Sequence, residues 1–196
     1  MRKIFCLVLS ACFISSSTML VHAQNGLRPM SDGPFQLSLV APVQLIDTEG
    51  SVMGLRLNLL YARNYDVTGL DLGLFNVTQG DFGGYSFGLV NYTRGNVYGV
   101  QEGLVNWNRS NVYGAQAGLA NYSRGDISGA QAGLFNCADG LDGLQLGLVN
   151  RAAVASGIQI GVLNIARHLY GLQIGIVNVS TDKENFRILP IVNAGW

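Results

Sequence analysis

Charge is scarce in this chain. Only 12% of its 196 residues are charged, with acidic and basic side chains in equal number. A chain without net charge or a basic cluster has no electrostatic footprint for nucleic acid, so no nucleic-acid partner is expected. Lysine is nearly missing: Lys183 is the only one after Lys3. Histidine is limited to His22 and His168, and cysteine to Cys6, Cys12 and Cys137. No apolar run reaches the roughly 18 residues that a membrane-spanning helix needs. The motifs HExxH, GxSxG, a phosphate loop and a GGxGxD calcium repeat are all missing. No enzyme activity is therefore expected, and no catalytic residue, cofactor or metal ligand is assigned.

What the chain has in abundance is glycine, 26 residues of it, within a composition that is 48% hydrophobic. That is too apolar for a disordered chain. The glycines recur in a unit, G-x-Q-x-G-L-x-N. It starts at Gly69, Gly84, Gly99, Gly114, Gly129, Gly143, Gly157 and Gly171, with a degenerate copy at Gly54. The asparagine of the unit falls at Asn76, Asn91, Asn106, Asn121, Asn136, Asn150, Asn164 and Asn178. Such a period of 14–15 residues defines a repeat architecture.

The organisation reads in four parts. Residues 1–23 form an export signal: Arg2 and Lys3, an apolar stretch over residues 4–13, and Val21-His22-Ala23 before a cleavage point. Leu9-Ser10-Ala11-Cys12 offers a second reading, a lipobox with Cys12 as the lipidated residue. Cleavage after Ala23 would remove Arg2 and Lys3 and leave 12 acids against 10 bases, a net charge of −2. Residues 24–52 read as a flexible N-terminus and an edge or cap strand, with Pro42 lacking a ladder donor. Residues 53–180 are the tandem β repeat domain. Residues 181–196 are a C-terminal closing strand ending on Trp196.

Numbering the first glycine of a copy as zero, offsets 1, 3 and 5 are apolar, as in Leu144, Leu146 and Leu148, and alternate with Gly, Gln and Gly. Period-two alternation specifies strands. Apolar residues two places before each glycine (Val67, Phe82, Val97, Val112, Ile127, Leu141, Ala155 and Leu169) follow turns such as Ser123-Arg124-Gly125-Asp126.

The expected fold is an all-β solenoid of about eight or nine stacked coils. Offsets 1, 3 and 5 would point inward, an asparagine ladder would run through the stack, and the glutamines would form an outward ladder. The alternative is an up-and-down outer-membrane barrel, for which the aromatics Tyr92, Tyr98, Trp107, Tyr113, Tyr122 and Tyr170 would supply girdles. The recurrence of one polar residue at one offset favours the solenoid. Glu102, at an offset that should be inward and apolar, fits neither.

Remaining motifs have plainer readings. Arg124-Gly125-Asp126 is an adhesion-type tripeptide, but it is one variant of a turn that elsewhere reads T-R-G-N and N-R-S-N. Asn76, Asn91, Asn108, Asn121 and Asn178 sit in glycosylation sequons, though most are repeat asparagines. Cys137 takes a slot used elsewhere by Val77, Tyr92 and Ile165 and reads as a small apolar filler. His168 reads as a solvated turn residue, and Asp66, Asp71 and Asp81 form no cluster in sequence.

The signal segment, the strand pair F-Q-L-S-L-V-A-P-V-Q-L … G-L-R-L-N-L-L-Y-A-R-N, the tandem G-L-Q-I-G-I-V-N units and the closing L-P-I-V-N-A-G-W resemble a family of bacterial surface repeat proteins. That family is known best from leptospiral spirochaetes, with similar repeats in Bacteroidetes. The resemblance implies an exported, surface-associated protein of the outer membrane or cell surface. It implies no enzyme activity and no site residues. The function expected beside it is a structural or interaction role, with a flat repeat face contacting host or envelope components.

Overall fold

A computed structural model describes residues 30–183 and 187–195. The export signal, the lipobox cysteine, residues 24–29 and the terminal Trp196 lie outside the described residues. Those described are arranged in strands: β1 (Met30–Val40), β2 (Val43–Gln44), β3 (Ile46–Asn64), β4 (Val67–Thr78), β5 (Phe82–Thr93), β6 (Val97–Asn108), β7 (Val112–Ser123), β8 (Asp126–Ala155), β9 (Ile158–Leu169), β10 (Leu172–Ser180) and β11 (Ile188–Ala194). The order β11-β10-β9-β8-β7-β6-β5-β4-β3-β1-β2 follows the chain almost without exception.

Each repeat pairs in parallel with the next, glycine on glycine and asparagine on asparagine. Gly99 faces Gly114 and Asn106 faces Asn121. Parallel neighbours one repeat apart make a β-solenoid of about ten coils, because β8 contains two coils and β1 and β3 stack in front of Gly69. An up-and-down barrel needs antiparallel neighbours, so the parallel pairing excludes that alternative. The ends do run antiparallel: β2 folds back on β1 and β11 on β10. Pro42 lies in the turn between β1 and β2, at the edge of the sheet.

The side-chain directions reverse the sequence-based expectation. Offsets 1, 3 and 5 point outward, and the glutamines point inward. Gln101, Gln116, Gln131, Gln145, Gln159 and Gln173 are all buried, whereas Leu146 is 47% exposed and Ile176 68% exposed. The reason is volume. A coil of 14–15 residues encloses a narrow interior, and three large apolar side chains per strand cannot meet there. What fits is Gly, Gln and Gly from the strand, Asn at offset 7, a small residue at offset 9 (Thr93, Ser123 or Ala152) and one apolar residue at offset −2. At that last position Val67, Phe82, Val97, Val112, Ile127, Leu141, Ala155 and Leu169 belong to the apolar part of the core.

Buried amides must be hydrogen-bonded, and identical amides stacked at about 4.8 Å satisfy one another. Gln116 Nε2 donates to Gln101 Oε1 at 2.9 Å, and the chain of bonds continues through Gln131, Gln145, Gln159 and Gln173. Asn193 of β11 donates to Gln173 Oε1 and closes the row. The asparagine ladder runs the other way. Asn106 Nδ2 donates forward to Asn121 Oδ1 at 2.8 Å, and its second N–H reaches the Ala117 carbonyl. This pattern repeats from Asn76 to Asn164. The amide dipoles of the two ladders therefore oppose each other.

The glycines serve these ladders. A Cβ at Gly118 would stand 2.3 Å from the Gly103 carbonyl oxygen and 3.0 Å from Asn106 Nδ2, so the second glycine leaves room for the asparagine side chain. From Gly54 to Gly143 the first glycine has positive φ, +144° at Gly114, a conformation that costs a residue bearing a Cβ. In the first full coil the two roles are exchanged. Asn58 occupies the glycine position and Ala62 the asparagine position, and Asn58 Nδ2 feeds the ladder at Asn76.

Asn121→Leu removes a ladder member and leaves neighbouring amides without partners, so it should lower stability by about 1–3 kcal/mol in urea unfolding. Leu119→Ser, two residues away on the outer side, should change it by less than about 0.5 kcal/mol.

Candidate functional site: the apolar face

The inversion places the large apolar side chains in register on the outside. Offsets 1, 3, 5 and 6 of the eight full copies form four outward columns, and Glu102 is the only charged residue among them. The columns continue onto β1 through Phe35, Leu37 and Leu39, and onto β11 through Ile191 and Val192, all exposed. Ten coils at about 4.8 Å and six residues at about 3.3 Å give a face of about 45 by 17 Å. Its footprint of about 750 Å² exceeds the largest apolar patch of an ordinary soluble monomer, about 300–600 Å².

The relief of the face is uneven. Tyr85, Phe87 and Leu89 are bulky on the N-terminal side of the middle. Ala115, Ala117, Ala130 and Ala132 make a low waist. Leu146, Ile160 and Ile174 restore bulk at the C-terminal end. There the columns at offsets 3 and 5 flank a shallow groove of about 770 Å³, floored by Gly133, Gly147, Gly161 and Gly175 and closed by Ile191.

Glu102 is explained by this geometry. It lies exposed on the outer face and accepts a hydrogen bond from the Tyr85 hydroxyl at 2.6 Å. That bond is the main reason the Tyr85 phenol is held above its ordinary pKa. Aromatic columns border the apolar ones. At offset 8, Tyr92, Trp107 and Tyr122 contact edge to face, with centroids 6.0 and 5.8 Å apart. At offset −1, Tyr98 and Tyr113 stack at 5.2 Å, and Tyr170 is exposed in the same column. Asp142 and Arg151 interrupt these borders in a single coil. The other charged repeat residues cluster in the turns at offsets 10 to 12, half a coil away. There Asp66, Asp81, Asn96 and Asn111 each accept a backbone N–H from the next turn.

One charged pair lies inside. Arg56 and Asp71 take the place of glutamines in consecutive coils, with Arg56 Nε 2.7 Å from Asp71 Oδ1 and Nη2 2.6 Å from Oδ2. Both are buried, and Ser86 donates its hydroxyl to Asp71 Oδ2. Asp71 is thereby separated from Asp66 and Asp81, whose side chains belong to the turns.

The other sequence-level candidates are dispersed. Arg124-Gly125-Asp126 is a rung of the turn stack, with Asp126 N–H bound to Asn111 Oδ1. All five sequon asparagines are buried, Asn108 included, and cannot present an amide to a glycan-transferring enzyme in the folded chain. Cys137 is not a core filler. It is half-buried on the outer side, with Arg151 Nη1 3.7 Å from its Sγ. His168 lies at the end of β9 and pairs with Asp182 at 3.3 Å. The Ser180 hydroxyl, more than His168, holds the Asp182 carboxyl below its usual pKa. Among the described residues, no group of three or more His, Cys, Asp or Glu is placed to hold a metal ion.

Comparison with family models, curated proteins and solved structures finds no match.

Breaking the interior pair from one side should be costly. Arg56→Gln leaves Asp71 buried without its cation and should destabilise by about 3–5 kcal/mol. The double change Arg56→Gln with Asp71→Gln replaces the ions with neutral amides between Gln36 and Ser86 and should recover most of that loss, a coupling that a double-mutant cycle reads directly.

Proposed function

We propose that this protein is a non-catalytic interaction scaffold, exported to the outer membrane or cell surface, whose working surface is the apolar face. The observation that carries this reading is the face itself: four outward columns along the stack, apolar except at Glu102 and made mostly of large side chains. Soluble proteins that have no partner for such a surface tend to aggregate, so its occupation in the cell is part of the function. Export is supported by the basic-apolar-small pattern of residues 1–23. The resemblance of the repeat to surface repeat proteins points the same way. Envelope or host components are the partners such a location offers.

The test is cellular. In native cells the protein should sediment with the envelope and be cleaved by protease added to intact cells. Introducing Leu148→Asp with Val162→Asp should move most of it to the soluble fraction without lowering its thermal stability. Retention of the variant in the envelope would remove the face from the function, and resistance to external protease would remove the surface location.

A further inference from the structure

We infer that the occupant of the apolar face is the acyl region of a lipid layer, on which the solenoid lies flat with its axis parallel to the surface. This rests on the reading of the face as the working surface and names what covers it.

Three features separate lipid from a protein partner. The first is the cross-section. The apolar columns are bordered by Tyr98, Tyr113 and Tyr170 on one side and by Tyr92, Trp107 and Tyr122 on the other, and apart from Glu102 on the face and Asp142 and Arg151 in one coil of the borders, the exposed charges of the eight full copies lie in the turns half a coil away. Tyrosine and tryptophan favour the boundary between acyl chains and headgroups, and charges favour water beyond it. A protein interface is ordinarily rimmed by charged and polar groups instead.

The second feature is backbone saturation. Neighbouring coils pair in parallel all along the stack, so the face turns side chains rather than open N–H and C=O groups toward its occupant. A surface in contact with hydrocarbon must meet that condition.

The third feature is relief, which acyl chains can follow. A rigid partner would have to fill the waist of Ala115, Ala117, Ala130 and Ala132 and also fit the bulk of Tyr85 and Phe87 beside it. Rigid interfaces lose contact energy over voids, whereas acyl chains flow into them. The groove over Gly147 and Gly161 is likewise open to methylene chains. With few basic residues on the rim, this attachment needs no anionic headgroup.

The experiment uses the protein isolated from its own cells, carrying Trp196→Phe so that Trp107 is its reporter. It is mixed with phosphatidylcholine vesicles with or without brominated acyl chains. Flotation with the vesicles, unchanged at high salt, and quenching of Trp107 by the brominated lipid are expected. Leu148→Asp with Val162→Asp, which share the same N-terminus, should weaken partitioning at least tenfold and abolish the quenching while melting unchanged. No flotation, or equal flotation and quenching of the variant, overturns the inference. A vesicle-indifferent dimer that the same variant dissociates overturns it in favour of a second copy. If vesicles fail but envelope retention in cells still requires Leu148 and Val162, the lipid inference falls and the scaffold reading stands with a protein partner.

Discussion

Everything in this molecule depends on the stacking of buried amides. A coil of 14–15 residues is too narrow for a conventional apolar core, so its interior is filled by glutamine and asparagine, which are polar and therefore costly to bury alone. Repetition removes the cost. Gln116 satisfies Gln101 and is satisfied by Gln131, and Asn106 does the same with its neighbours. Each rung is stable only because the rungs on either side are identical, which ties the fold to the periodicity of the sequence. The exceptions keep the rule: where glutamine gives way to Arg56 and Asp71, the two substitutes neutralise one another in adjacent rungs.

The polar interior has a direct consequence outside. Strand alternation sends every second side chain away from the core, so small and polar residues within commit the large apolar ones to the surface. The face from Phe35 to Val192 is thus the complement of the ladders rather than an independent feature. Turn chemistry adds a third column of side chain to backbone bonds through Asp66, Asp81, Asn96 and Asn111, which keeps the charged residues at the edge remote from that face.

Much of this was legible in the residues. The repeat, the strands, the stack and the asparagine ladder all follow from one unit read eight times. The facing of the strand did not follow, because period-two alternation is symmetric: it separates two sets of side chains without saying which set is enclosed. Two signals pointed the right way. Gly103 and Gly118 share parity with glutamine, and only an enclosed, crowded side calls for glycine there. The outward set also varies, from Phe87 to Glu102 to Ala117, whereas the inward set is nearly constant. Glu102 was the plainest sign, since a lone carboxylate is tolerated at an exposed position far more readily than in a core. The exchange of Asn58 and Ala62 needed coordinates, because an extra residue between Asn58 and Tyr61 shifts the register there.

The central claim is the direction of the strand, and cysteine accessibility measures it most directly. In a Cys137→Ser background, single changes Gln116→Cys, Ala117→Cys, Leu119→Cys and Asn121→Cys would be treated with a water-soluble maleimide under native conditions. The account predicts rapid labelling at 117 and 119, and protection at 116 and 121 until the chain unfolds. Rapid labelling at 116 with protection at 117 and 119 would contradict it.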